Sequence, residues 1–323
     1  LNITLDYYYT TTMDMLLNVP VPVLSGFTQQ LTNIGKLRNQ GVEIGINSIN
    51  VTNRNFEWKT DFNISANRNK VLKLGINNAP IEIVNSSCIS RTEVGQPISN
   101  YFGYVYDGVI MNEEDLAKYP HLVKAGYEPG DPIIRDVDGN GKLTSDDRTI
   151  IGNYQPDFVW GMTNTLNYKG IELTFLLQGV QGNEIFNQQA RFSKEYNGGR
   201  NAYKSVFNFW RSEAEPGDGK TFKPRVTPAH TVEQTSGSWW VEDGSFVRIR
   251  NVRLGYTFPR NFAQKLFLSS AKVYLNVENL YVFSDYPNFD PEGSTFQSGI
   301  MAGFDYGTYP YPRTWTIGIS VNF

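Results

Sequence analysis

Apolar and polar residues alternate strictly along several extended segments of this chain, and that pattern narrows the choice of fold. Segment 315–323 (WTIGISVNF) has apolar side chains at every odd position and Thr, Gly, Ser or Asn at every even one. Segment 56–66 is similar, and its polar positions include Glu57, Lys59 and Asp61. Successive side chains of a strand point to opposite faces. Each segment therefore has an apolar face and a polar face whose charges must stay solvated, because burying them unpaired costs several kcal/mol each.

The alternation predicts about eight strands of about nine to thirteen residues. The alternating stretches that mark them are 1–10, 41–47, 56–66, 158–168, 171–179, 245–259, 272–280 and 315–323. Val247 and Ile249 have the opposite parity to Val252, which predicts a bulge near Arg250 and Asn251. These strands exceed the usual soluble length of about five or six residues. They match the roughly 9–11 residues that a tilted strand needs to cross a bilayer.

The predicted links between the strands alternate between short and long. The short links are 53–55, 168–170 and 259–271, and the long, irregular ones are 11–40, 68–156, 182–245 and 283–311. An outer-membrane barrel shows this asymmetry, with periplasmic turns at one edge and extracellular loops at the other. In such a barrel the charged face lines a wet lumen and the apolar face meets lipid. A compact soluble domain rarely contains several structureless loops of this length.

Composition excludes several classes of protein. Lys and Arg total 29 against 32 Asp and Glu, a formal charge of −3, so we expect no nucleic-acid partner held by electrostatics. No stretch approaches the roughly 20 apolar residues of a membrane-spanning helix. The first residues show no signal-peptide pattern. The single cysteine, Cys88, cannot form an internal disulfide.

Segment 136–147 (DVDGNGKLTSDD) has the spacing of a calcium-binding loop. The candidate ligands at template positions 1, 3, 5, 7 and 12 are Asp136, Asp138, Asn140, the carbonyl of Lys142, and Asp147. Asp at position 12 replaces the usual Glu, which shortens the bidentate reach. In the alternative interpretation, the Asp and Asn side chains form Asx-turns, and Thr144 and Asp147 form a capping box. A bound Ca²⁺ would be structural.

Segments 31–47, 135–187, 238–259 and 311–323, in that order, resemble the C-terminal half of SusC/RagA-type TonB-dependent outer-membrane transporters. The resemblance implies an all-β fold, part of a large antiparallel transmembrane β-barrel that has 22 strands in the family. Residues 1–323 would form the C-terminal portion of that barrel, with large extracellular loops at about 68–156 and 182–245. The family's N-terminal plug, TonB box and signal peptide are not visible in this sequence, so we expect a fragment of a longer protein.

The resemblance also implies a function: active import of glycans or peptides across the Gram-negative outer membrane. The implied partners are a SusD-like surface lipoprotein, TonB acting through the plug region, and outer-membrane lipid. We expect no enzyme activity, because the isolated His121 and His230 have no second ligand at metal spacing and no nucleophile elbow is present. A glycoside hydrolase would need paired carboxylates about 5–9.5 Å apart. The alternative function is a calcium-stabilised extracellular β-sandwich that binds carbohydrate and folds without detergent.

Overall fold

The computed structural model describes residues 1–20, 24, 26, 29–75, 77–85, 88–194, 203–223, 237–296 and 299–323. Most of the regular structure is β. In chain order the strands are β1 (Asn2–Pro20), β2 (Gln29–Thr52), β3 (Phe56–Lys73), β4 (Ile81–Asn85), β5 (Cys88–Thr92), β6 (Asn100–Gly103), β7 (Tyr106–Val109), β8 (Pro132–Ile134), β9 (Thr149–Asn153), β10 (Phe158–Tyr168), β11 (Ile171–Gln181), β12 (Glu184–Asn187), β13 (Val241–Asp243), β14 (Phe246–Thr257), β15 (Ser270–Ser284), β16 (Phe304–Asp305) and β17 (Thr314–Asn322). The α-helices are short: α1 (Glu113–Leu116), α2 (Pro120–Lys124), α3 (Gln188–Lys194) and α4 (Arg260–Lys265). None of the helices in the described ranges is long and apolar enough to span a membrane.

Eight strands form one antiparallel sheet in the order β1-β2-β3-β10-β11-β14-β15-β17. This confirms the eight predicted strands and the antiparallel all-β class. The short links 53–55, 169–170 and 258–269 all lie at one edge of this sheet, which we call the short-link edge. The links 74–157, 182–245 and 285–313 lie at the opposite, long-link edge.

The predicted hairpin turns are present and have local chemical causes. Asn53 Oδ1 accepts hydrogen bonds from the backbone N–H groups of Asn55 (3.1 Å) and Phe56 (2.9 Å) and closes the first turn. Lys169 and Gly170 both have positive φ, at 48° and 90°, as a two-residue type I′ turn requires. These turns set the registers of β2 on β3 and of β10 on β11.

The predicted bulge near Arg250 and Asn251 is also confirmed. The register of β14 shifts between Ile249 and Asn251 against both of its neighbours, β11 and β15. Between these positions β14 contains one residue more than β11. Ile249 therefore pairs with Leu177 and Val252 pairs with Phe175, and both partners belong to the apolar parity of β11. The apolar face therefore continues through the bulge.

The prediction of an irregular segment at 11–40 was wrong. β1 continues to Pro20 and β2 starts at Gln29, and Thr12 still pairs with Leu37. β1, β2 and β3 have 19, 24 and 18 residues, longer than the predicted nine to thirteen. The sequence TTT at 10–12 lacks alternation, but β-branched residues favour extended backbone and the ladder with β2 supplies hydrogen bonds.

Three cross-strand pairs place an aromatic ring over a glycine directly opposite: Tyr8 over Gly41, Trp160 over Gly179 and Tyr274 over Gly318. A Cβ built on Gly179 would lie 2.1 Å from Trp160 Nε1, and one on Gly318 would lie 2.3 Å from the Tyr274 ring. Each glycine thus leaves room for the ring to lie flat along the sheet, and the ring covers exposed glycine backbone.

The apolar parity of the sheet is exposed. Ile317 and Ile319 are 77% and 76% accessible, and Trp58 and Val321 are 38% and 42% accessible. A β-sandwich would pack these side chains against a second sheet in a dry interior. No second sheet lies over them among the described residues, so these side chains stay exposed.

Candidate functional site: polar face, loop assembly and acidic turn

The polar face of the sheet carries paired charges and amides. Lys59 Nζ lies 2.9 Å from Glu57 Oε1, and both side chains are partly exposed. Lys272 and Glu172 make a second pair at 2.9 Å, across β11, β14 and β15. Such pairs keep their water contacts and cost little desolvation. This arrangement suits a wet lumen wall, as the sequence predicted for Glu57, Lys59 and Asp61.

The three long links form one structure, which we call the loop assembly: the described residues of 74–157, 182–245 and 285–313. The assembly contains three small sheets, in the orders β4-β5-β6-β9, β13-β12-β16 and β7-β8. The predicted loops at 68–156 and 182–245 are therefore partly regular, and residues 68–73 belong to β3.

All three links contribute to one hydrophobic core of the loop assembly. Its buried members are Cys88 and Tyr101 from the first link, Phe186, Ala190 and Trp240 from the second, and Met301 and Phe304 from the third. The Tyr101 ring packs edge-on against Phe186 (5.8 Å) and Phe304 (4.9 Å). Its hydroxyl lies 2.8 Å from the carbonyl oxygens of both Glu184 and Gly303, which share its single proton as acceptors. Tyr101 therefore joins all three links.

A buried ion pair attaches the third link to the polar face of β14. Arg248 and Asp290 have side chains only 3% and 4% accessible, and the guanidinium lies 2.6 Å from Asp290 Oδ1. Glu292 Oε2 lies 2.8 Å from Arg248 and 3.0 Å from Arg250. The ring of Tyr311 stacks near both guanidinium groups, at 5.5 and 4.9 Å. The third link is therefore held over the polar face and not over the apolar face.

Asp305 organises the other end of the same link. Its Oδ2 accepts hydrogen bonds from Tyr286 (2.7 Å) and Asn288 (3.1 Å), and its Oδ1 accepts from the N–H groups of Gly307 and Thr308. Burial opposes ionisation of Asp305, but the hydrogen bonds outweigh it and lower its pKa. Burial and the neighbouring Asp305 raise the pKa of Tyr286, which stays a neutral donor.

The structure brings three of the predicted calcium ligands together. Carboxylate oxygens of Asp136, Asp138 and Asp147 lie within 4.8 Å of one another, and Asp147 is fully buried. This acidic turn offers the hard oxygen donors that Ca²⁺ prefers. Burial raises the pKa of Asp136, but N–H groups of Gly141 and Gly139 donate to it and the net pKa is lowered. The carboxylate is thus kept ionised, the form that a cation needs.

The acidic turn also contains the hydrogen bonds expected from the alternative interpretation, without a cation. Asn140 N–H donates to Asp138 and Lys142 N–H donates to Asn140, which are the predicted Asx-turns. Thr144 and Asp147 form the predicted capping box at the 3-10 helix Ser145–Asp147. Asn140 and Lys142 are exposed, and Lys124 Nζ lies 3.2 Å from the Gly141 carbonyl and places a competing cation beside the turn. The geometry fits a cation at the three aspartates, and the local hydrogen bonds also hold the turn.

Sequence reasoning missed Arg248, Asp290 and Asp305. One signal was available: Arg248 and Arg250 occupy alternate positions on the polar face at the bulge, and any segment that buries them must supply acidic partners. Of the two histidines, His121 is buried with Nε2 2.7 Å from the carbonyl of Ile134, away from any second imidazole in the described residues. His230 lies outside the described residues.

An eight-stranded antiparallel sheet with one exposed apolar face, a polar face and lopsided links is the arrangement of part of a large outer-membrane-type β-barrel. The solved structures support this class: one titled "Structure of the RagAB peptide transporter" matches with a TM-score of 0.80 at 23% identity, covering 99% of this chain and 33% of that one. Another, of the RagAB peptide importer in the "closed-closed" state, has a TM-score of 0.78 at 25% identity over 99% and 33% of the two chains. No protein-family profile matches the chain.

Sequence relatives make the assignment more specific. The chain is a homologue of TonB-dependent receptor P3 of Formosa agariphila, at 36% identity over 100% of this chain and 32% of the relative. It is also similar to TonB-dependent receptor SusC of Bacteroides thetaiotaomicron, at 26% identity over 99% of this chain and 30% of the relative. The resemblance read from the sequence is confirmed, and the chain spans about a third of the length of these relatives.

Proposed function

We propose that this chain forms barrel wall and outer loops of a TonB-dependent importer of glycans or peptides in the outer membrane. The relatives named above are called TonB-dependent receptors, and one structural neighbour is called a peptide transporter. The resemblance to SusC and RagA implies a SusD-like lipoprotein over the loop assembly and TonB acting through a plug. Cargo would cross along the polar face while the apolar face meets lipid.

The dimensions of the apolar face support a membrane position. Val247 and Tyr256 on β14 pair with Gly179 and Ile171, which are eight residues apart on β11, so this face is about 27 Å long at about 3.4 Å per residue. At a tilt of about 40°, that length gives about 21 Å along the membrane normal, comparable with the roughly 25 Å apolar band of outer-membrane barrels. Tyr281 and Phe283 lie near one end of the band, and Tyr168 and Tyr256 lie near the other. Aromatic residues prefer both membrane interfaces.

Adjacent residues of β17 test the orientation of the two faces. In the full-length receptor, Ile317→Arg places a charge in lipid and should cost about 2–4 kcal/mol of barrel stability. Thr316→Arg places the same charge on the polar face, where it should be tolerated. The measurement is the yield of folded barrel, read as heat-modifiable migration of outer-membrane extracts. If Thr316→Arg disrupts folding and Ile317→Arg does not, the barrel function is wrong and the soluble β-sandwich is favoured.

Cargo class needs a separate experiment. A strain that lacks the receptor should lose growth on its cargo, and we expect recovery with the full-length gene but not with a gene lacking the TonB box. Oligosaccharide and peptide pools, each as sole nutrient, would separate the two proposed cargo classes. Growth on both pools that is independent of the receptor would contradict the import function.

We also propose that the acidic turn binds a structural Ca²⁺, on the evidence of its three converging carboxylates. Extracellular calcium sites have dissociation constants of about 10⁻⁴–10⁻³ M, which calorimetry on the full receptor can measure. Asp138→Asn should weaken binding, whereas Asp146→Asn, an exposed neighbour outside the cluster, should not. Equal effects of the two variants, or no saturable heat of binding at millimolar Ca²⁺, would contradict the calcium site. The arrangement of the aspartates would then be explained by the hydrogen bonds of the turn alone.

A further inference from the structure

The link between β14 and β15 differs from the other two short links because it forms a small amphipathic helix. Phe262 in α4 and Leu266, which follows the helix as its C-cap, are one turn apart and are 47% and 55% accessible, whereas Ala263 is fully buried. At about 100° per residue, Lys265 lies about 80° from the centre of this apolar stripe and Arg260 about 140° from it in the other direction, on the polar face of the helix. Neither cation makes an ion pair with a described residue.

Aromatic stacking places α4 on the apolar side of the sheet. Tyr256, on the apolar parity of β14, packs edge-on against Phe258 at 5.1 Å. Phe258 in turn stacks on Phe262 at 5.1 Å with an interplanar angle of 26°. The row of three rings continues the apolar face around the short-link edge and onto the helix.

Phe267, just after α4, has a strained backbone and an exposed aromatic side chain. Phe267 has φ of +60°, a conformation that a bulky residue rarely adopts, and its side chain is 93% accessible. Strain of this kind persists where the surrounding structure requires it and is concentrated at functional positions. An exposed, strained Phe beside Leu266 is costly in water and favourable at a lipid interface.

A groove on the apolar face begins where the aromatic row ends. Its volume is about 450 Å³, within the range of small-molecule sites. Its lining includes Ile171, Leu254, Tyr256, Val273, Leu275 and Ile317. Tyr256 belongs to both the groove and the aromatic row, so an elongated apolar ligand in the groove would end near α4.

Charge at this edge identifies the ligand. The three short links contain Arg54, Lys169, Arg260 and Lys265 and no acidic residue. Basic residues beside an apolar surface attract anionic lipid headgroups. We propose that the groove and α4 form a binding site for one anionic phospholipid of the leaflet at the short-link edge. An acyl chain lies in the groove, and the phosphate group lies between Arg260 and Lys265. This inference rests on the proposed function, because it needs the apolar face to meet lipid.

Native mass spectrometry of the full-length receptor, with added phosphatidylglycerol or phosphatidylcholine, tests the site. We expect one phosphatidylglycerol retained in preference to phosphatidylcholine, and an apparent affinity about tenfold or more lower in Arg260→Glu/Lys265→Glu. Arg54→Glu/Lys169→Glu makes the same change of charge at the same edge and should retain the lipid. Equal losses in both variants would show general attraction to the basic edge and overturn the specific site. A change in subunit number without loss of lipid would assign the surface to protein contacts and overturn it as well.

Spin labelling separates failure of this site from failure of the proposed function. Nitroxides are placed singly at residues 262 and 317 of a receptor whose other cysteines are replaced, and the receptor is reconstituted in phosphatidylglycerol-containing vesicles. We expect label 317 to be accessible to oxygen and label 262 to lie at headgroup depth. Label 317 in lipid with label 262 freely accessible to a nickel chelate would overturn the lipid site alone. Label 317 accessible to the chelate would overturn the proposed membrane orientation itself.

Discussion

Arg248→Met should release the third link of the loop assembly from the polar face. The variant keeps much of the side-chain length but leaves Asp290, buried with side-chain accessibility of 4%, without its cation. Removing one partner of a buried ion pair costs about 3–5 kcal/mol. Because about 1.4 kcal/mol corresponds to a factor of ten, local opening should become about two to more than three orders of magnitude more frequent.

Hydrogen exchange measures this opening directly, since protected amides exchange through local unfolding. The informative amides are those of Glu292 and Tyr311, whose N–H groups donate to Asp290 at 3.0 and 3.1 Å. Protection of segment 285–313 should fall in the full receptor in detergent, while strands β10 and β11 keep theirs.

Lys272→Met is the matched control, because it removes a cation from the same face of the same sheet. Its pair with Glu172 is 25% and 30% accessible, so we expect a cost of at most about 1 kcal/mol. A loss of protection below threefold in Arg248→Met, or an equal loss in both variants, would refute the conclusion that the buried pair holds the link.

Two other variants probe the sheet and the loop assembly. Gly179→Ala places a Cβ 2.1 Å from Trp160 Nε1 and should lower the free energy of unfolding, measured in urea, by about 1–3 kcal/mol. Gly45→Ala is the control, because the nearest atom to its Cβ is 3.8 Å away. Its effect should be smaller, since only the first variant displaces a ring. Similar unfolding midpoints for the two variants would contradict the role of the glycine. Asp305 has a lowered pKa, so its contribution to stability is present above the ordinary value of 3.8 and is lost as the pH falls through the lower folded value. Protection of segment 285–313, corrected for intrinsic exchange, should therefore fall below about pH 4 in the parent and show less pH dependence in Asp305→Asn; an unchanged profile in the variant would exclude Asp305 as the titrating group.

Local periodicity explains why the sequence predicted so much of the sheet. The period-two pattern marks each strand. Ile249 and Val252 are three residues apart, so they can lie on the same face only if the strand contains one extra residue between them. Segment 11–40 fails this test, because Thr10–Thr12 and the residues opposite them do not alternate. The extended parts of β1 and β2 in this segment depend on the hydrogen-bonded ladder between the two strands, including the pair of Thr12 with Leu37. Neither segment alone encodes this pairing between strands.

The same distinction separates the two parts of the candidate site. Asp136, Asp138 and Asp147 lie in one turn, so their spacing was enough to predict that they converge. Arg248 and Asp290 are 42 residues apart and meet only because the third link folds back over β14. Sequence parity marks Arg248 as polar-facing, but it does not identify the acid that meets it.

The shared core around Tyr101 has a consequence for which residues of the loop assembly can change. Because three separate links supply that core, unfolding of the core itself must loosen all three links together, whereas a contact outside it, such as Arg248 with Asp290, can open locally. Substitutions inside it are restricted to swaps that conserve volume, since a cavity there would loosen every link at once. Exposed residues such as Phe289 and Tyr309 lie outside that core and have no such packing restriction.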